Sequence, residues 1–130
     1  MSNEGRRAAR ERALELLYEA EAKDTTASAI VDELPVAPDA YACVLAVGVD
    51  DHRPEIDALL TKHAKGWALE RMPAVDRALL RLATYELLHH PEVPVAVVIS
   101  EAVELAAQFS TDDSSRFVNG VLSAIATRDA

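Results

Sequence analysis

PAVDRALLRLATYELLHH, Pro73 to His90, is the stretch on which the fold turns. Val75, Leu79, Leu82, Ala83 and Leu87 recur at three- and four-residue steps, the spacing that lines one side of an α-helix. Pro73 suits a first-turn position, where its missing N–H costs nothing and its fixed φ is already helical. Pro91 and Pro94 then bracket a short connector, because proline ends a helix interior.

The same period continues on both sides of this stretch. Downstream, VAVVISEAVELAAQF sets Val98, Ala102, Leu105, Ala106 and Phe109 on one side, and after the cap-rich STDDSS the segment RFVNGVLSAIA turns Phe117, Val121 and Ile125 inward. Upstream, EIDALLTKHAKGW keeps Ile56, Leu59, Leu60 and His63 in helical register, with Gly66 as a C-terminal stop. Pro54 either kinks or restarts the helix that begins in AYACVLAVGVDD, which Asp39 can cap. Asp24-Thr25-Thr26 reads as turn and cap for ASAIVDEL, which stops before Pro35 and Pro38. In the first segment Ala9, Ala13, Leu16, Leu17 and Ala20 form one apolar stripe. Strand alternation is confined to VAVVI, whose continuation is helical. The expectation is an all-α domain over residues 1–130, with about seven helices, short loops and two small bundles packed together.

Composition narrows the function. The 130-residue chain is 50% apolar and 27% charged, an ordinary globular balance. It has no apolar run long enough for a membrane span and no signal-peptide core, and its single cysteine excludes an internal disulfide framework; the cytoplasm is the expected address. The formal net charge is −9, yet residues 1–12 carry Arg6, Arg7, Arg10 and Arg12 against Glu4 and Glu11, leaving −11 on the rest. Cations at a helix N-terminus oppose the helix dipole. A solvated helix end and a phosphate-binding patch both fit this arrangement.

Motifs that carry chemistry are few. The four histidines, His52, His63, His89 and His90, form no HExxH, and there is neither a P-loop nor GxGxxG. No metal or cofactor is expected. Cys43 lies in the apolar run YACVLAV and reads as a small core residue. Glu86 and Glu101 fall on the apolar sides of their helices; the structural use of such carboxylates is to accept N–H groups from a neighbouring helix start. A general acid–base pair is the other use. With only six aromatic residues, most should anchor the core, but Tyr18 follows Arg10 by about two turns, and Phe109 and Phe117 flank the STDDSS loop. Basic charge beside stackable rings is what single-stranded RNA requires.

Taken in order, RRAARERALELLYEAE, PAVDRALLRLATYELL, VISEAVELA and STDDSSRFVNGVL resemble the successive signatures of the NusB family of transcription antitermination factors, over essentially the whole chain. The resemblance implies two three-helix bundles plus a connecting helix, and no catalysis. It also implies binding to the boxA element of nascent ribosomal-RNA leader transcripts together with NusE, a small-subunit ribosomal protein, so that RNA polymerase, an indirect partner, keeps elongating. By position, the arginine-rich motif falls on Arg6, Arg7 and Arg10 as phosphate contacts, although Ala8 stands where many relatives continue the basic run. Tyr18 matches a family aromatic, at the RNA surface or packing the first bundle. Phe109 and Phe117 flank the DS pair, Asp113 and Ser114, as base contacts or core; Asp113 and Ser114 also read as a helix cap. Gly120 in FVNG reads as a site of close helix approach, with Asn119 bonding nearby backbone. Asp76, Arg77 and Arg81 lie on the helix resembling the NusE-facing side, where solvated surface is the alternative.

Three rival readings remain open at this level: a helical protein–protein adaptor, a detached accessory domain of an RNA methyltransferase, and a helical enzyme using Glu86 and Glu101. Whether the chain is a monomer or a homodimer is also left open.

Overall fold

Short polar side chains in the turns start the helices. Thr26 accepts the Ala29 N–H at the head of one helix, Asp39 accepts those of Tyr41 and Ala42 at the next, and Thr111 accepts that of Ser114 before the last. The computed structural model describes residues 3–129; residues 1–2 and 130 of the expected domain lie outside the described residues. Its elements are α1 (Asn3–Ala22), α2 (Ala27–Glu33), α3 (Ala40–Asp51), α4 (Arg53–His63), α5 (Ala74–His89), α6 (Val95–Phe109) and α7 (Asp112–Arg128), with a 3-10 turn at Leu69–Arg71. Pro54 restarts the chain as α4, because proline is tolerated only in a helix's first turn. Gly66 adopts φ +84° just beyond α4, a conformation that strains side chains with a Cβ.

Helices α1, α2 and α3 pack mutually as one bundle, α5, α6 and α7 as a second, and α4 connects them, touching α3 and lying on α5 and α7. The all-α expectation of two three-helix bundles with a connecting helix holds. Where the chain departs from it is α5. The sequence reads as amphipathic, yet every residue from Ala78 to Leu87 is buried, Arg81, Thr84 and Glu86 included. The reason is its place: α5 meets α1, α3, α4, α6 and α7, so no side faces water along its middle. A helix buried all round needs partners for each polar group it carries.

Two smaller expectations change. A Cβ on Gly120 would meet nothing within 4 Å, so it marks no close approach, and the Asn119 amide oxygen accepts the Ser123 hydroxyl, not a backbone group. The close approach is at Gly48 of α3, where an added Cβ would fall into the Tyr85 ring. Of the aromatic residues, Tyr85 is buried, whereas Tyr18, Trp67 and Phe109 are exposed. Leucine, isoleucine, valine and alanine fill the core in their place. Among the described residues, no helix is long and apolar enough to cross a membrane.

Candidate nucleic-acid interface

The arginines at the head of α1 have different surroundings. Arg10 is 2% exposed and Glu86, on α5, 1%. The guanidinium grips the carboxylate with two bonds of 2.8 Å, and the Tyr41 hydroxyl of α3 donates to the same group at 2.7 Å. Burial works against the Arg10 charge, but Glu86 more than offsets it and raises the guanidinium pKa. Burial and that carboxylate push the Tyr41 hydroxyl up. Arg10 is therefore a tie between α1, α3 and α5, and the expectation that it contacts phosphate is corrected. Glu86 does lie inward, but what it accepts is a guanidinium and a phenol instead of helix-start N–H groups.

Arg7 repeats the pattern at the surface. It reaches Glu101 of α6 at 2.9 and 3.1 Å, and Glu104 at 2.9 Å. Here too the inward carboxylate is paired with an arginine, and half of the Arg7 side chain stays in water. Arg6 lies over the Tyr41 ring of α3 at 5.4 Å, a cation–π contact. Arg12, partly exposed, stands near Glu15. The expected patch of Arg6, Arg7 and Arg10 thus narrows to Arg6 and Arg7, and Arg7 already carries two carboxylates.

The residues assigned to a partner face are turned inward. Asp76 is 4% exposed and accepts the Ser114 hydroxyl at 2.8 Å, and its other oxygen has no protein partner. Arg81 is 8% exposed and forks onto Asp57 of α4. Arg77 bonds Glu21 and the carbonyls of Leu69 and Met72. Arg77 and Arg81 join elements of this chain and are not free to meet another; Asp76 joins α5 to α7 through one oxygen only. Ser114 likewise bridges α7 to α5 and is not the cap; Thr111 is. Asp113 is exposed and pairs with Arg116 one turn on.

Two surface features remain. Phe117 of α7 meets Trp67 at 6.0 Å between ring centroids, and both border a pocket of about 210 Å³ with Met72, Pro73, Asp76 and Asp113. An apolar lip with a carboxylate behind it suits an unstacked base with N–H groups on its edge. Separately, Tyr18, Leu14, Val75 and Phe109 line a groove of about 330 Å³ between α1, α5 and α6, and Glu11, Glu15 and Glu19 rim it. Glu15 stands near Arg12 and Glu19 bonds Lys23, which offset part of the rim's charge; the negative charge that remains favours a basic partner over phosphate. Tyr18 and Phe109, expected near RNA, are therefore set in acidic surroundings. Trp67 was not singled out by the sequence, because its nearness to Phe117 is a tertiary fact with no local signal.

The comparisons agree on one family. The model of the NusB family matches residues 7–127. The chain is similar to T. maritima NusB, at 34% identity over 95% of this chain and 91% of that one, with a TM-score of 0.85. It is similar to a chain of the antitermination factors NusB and NusE in complex with dsRNA, at 30% identity over 94% and 96%, with a TM-score of 0.79. NusB from Aquifex aeolicus matches at 30% identity over 98% and 89%, with a TM-score of 0.76.

Proposed function

The chain belongs to the NusB family, and from that premise we propose that it is a transcription antitermination factor. It binds the boxA element of nascent ribosomal-RNA leader transcripts together with NusE, and the assembly keeps RNA polymerase elongating. The observation that carries this reading is the likeness, across nearly the whole chain, to a protein captured with NusE and double-stranded RNA. The work is binding and positioning, carried by a single domain, with no chemical turnover assigned to Glu86 and Glu101, whose oxygens are engaged by Arg10, Tyr41 and Arg7.

Three surface features divide the task. Arg6 and Arg7 supply phosphate contacts, and Phe117 with Trp67 supplies a stacking platform whose edge is read by Asp113 and the carboxylate of Asp76. The groove of Tyr18 and Phe109 with its glutamate rim is the surface offered to NusE. So few phosphate contacts give modest affinity alone, at a salt slope of about −0.7 per contact for a single strand. Joining two weak RNA-contacting surfaces in one complex raises the apparent affinity without new contacts.

The test is a titration of labelled boxA-type RNA at two salt concentrations, with and without NusE and against a scrambled RNA. Selective binding that tightens with NusE is the expected result. No selectivity in the presence of NusE, for a folded protein, overturns the reading and leaves a protein–protein adaptor.

A further inference from the structure

The joint between α3 and α4 meets the end of α5, and three side chains able to ligate a metal converge there. We infer that His52, Glu55 and His89 form a site for a divalent transition-metal ion of the Zn2+ class. His52 is the residue between α3 and α4, Glu55 stands in the first turn of α4, and His89 is the last residue of α5. One donor atom from each lies within 4.8 Å of the other two. His89 Nε2 is 3.1 Å from one Glu55 oxygen, and His52 Nδ1 is 4.0 Å from the other.

Those spacings are close to what an ion requires. Tetrahedral zinc, with bonds near 2.1 Å, separates its donors by about 3.3 Å. The His89–Glu55 edge is already at that spacing. The remaining edges close by at most about 1.5 Å, within reach of side-chain rotation. The imidazoles are also held in place. Their centroids are 4.0 Å apart at a tilt of 32°, and Tyr85 packs on both, at 5.1 Å from His89 and 5.7 Å from His52. Tyr85 is itself seated against Gly48, so the rings have a fixed wall behind them. Both histidines remain partly exposed and Glu55 is exposed, which gives an ion a path in.

The field favours a cation. The C-terminal ends of α3 and α5 both point their negative poles at the site, against the single positive pole of α4. Asp51 and Glu92 add carboxylate charge that is felt at Tyr85, beside both imidazoles. Arg53, next to His52 in sequence, opposes this balance; burial and Arg81 disfavour its charge, and Asp57, Asp50 and Glu21 offset part of it. Two imidazoles and one carboxylate suit Zn2+, Co2+, Ni2+ or Cu2+, and are a poor match for Mg2+ and Ca2+, which prefer oxygen. Three protein ligands leave a fourth position for water or for a donor from another molecule.

The experiment is calorimetric titration of the full chain, free of any polyhistidine tag, with Zn2+ and separately with Mg2+. A parallel titration with Co2+ follows the visible absorption of the ion. The expected result is one saturable Zn2+ equivalent, no Mg2+ binding, and Co2+ bands of a four-coordinate site. Glu55→Gln, at an exposed position, should weaken Zn2+ by at least about tenfold, the lower end of what even outer partners of metal ligands contribute. His52→Ala combined with His89→Ala should abolish binding. Absence of saturable binding, or binding that Glu55→Gln and the double variant leave unchanged, overturns the site and reduces the cluster to a hydrogen-bonded ring stack. Should the double variant fail to fold, the Glu55→Gln titration and the Co2+ spectrum decide.

Discussion

Arg10 carries the sharpest residue-scale consequence. Its partner Glu86 is enclosed, so Arg10→Ala would strand a carboxylate in the core beside only the Tyr41 hydroxyl. Breaking a buried pair on one side typically costs about 3–5 kcal/mol, far more than an exposed pair is worth. Urea unfolding of Arg10→Ala should show a loss of that size, and replacing both partners, Arg10→Met with Glu86→Leu, should recover most of it. A loss under about 1 kcal/mol in the single variant, the range of a surface pair, would mean that Arg10 is solvated and free to bind phosphate. Gly48→Ala tests the other tight contact. The new methyl would displace the Tyr85 ring, at a cost of about 1–3 kcal/mol from overpacking, again read by urea unfolding.

Among the elements, α1 is joined to the second bundle by ion pairs as well as by its apolar stripe. Arg7 and Arg10 bind Glu101 and Glu86 near its start, and Glu21 near its end takes Arg77 and Arg81. The hydrogen bond from Arg77 is the largest influence on Glu21 and holds its carboxyl below the ordinary range. The unfolded chain therefore takes up this proton first as pH falls. The stability contributed is fully present above the unfolded value, about 4.3, and is lost as pH drops through the lower folded value. Thermal midpoints of the protein and of Glu21→Gln should differ at neutral pH and converge as the solution is acidified below that window; a constant gap would show that the pairing contributes nothing. Asp129, lowered chiefly by its bond to His63, adds to the same acid-side loss at the end of α7. Thr111→Ala removes the cap of α7 and should cost about 1 kcal/mol, measured by the same thermal unfolding.

For the whole molecule, the separation of an arginine patch, an aromatic pocket and an acidic groove yields separable losses. Phe117→Ala should weaken boxA RNA by about 1–3 kcal/mol, the usual worth of one stacked base, and leave NusE binding intact. Tyr18→Ala should do the reverse, weakening NusE and affecting RNA only through the complex. Arg6→Ala should flatten the salt dependence by about 0.7 in slope, one phosphate contact. Fluorescence anisotropy of the RNA with and without NusE reads all three. If Phe117→Ala and Tyr18→Ala weaken the same partner, the division of surfaces is wrong.

Local pattern alone was enough for the helices. Thr26, Asp39, Pro54 and the apolar steps of Pro73 to His90 mark their own elements, because capping and periodicity act within a few residues of the chain. The inward direction of Glu86 and Glu101 was legible for the same reason: a residue's side of a helix follows from its register. What they bind was not. Arg7 and Arg10 are 94 and 76 residues from their partners, and nothing in a run of arginines distinguishes a guanidinium that meets phosphate from one that meets a buried carboxylate. Packing decided that, by surrounding α5 with five helices, so that Asp76 and Arg81 lost the solvent their pattern implied and, like Glu86, were drawn into bonds within the chain. The two surfaces left open, and the meeting of His52 with His89, exist only where separate helices end side by side.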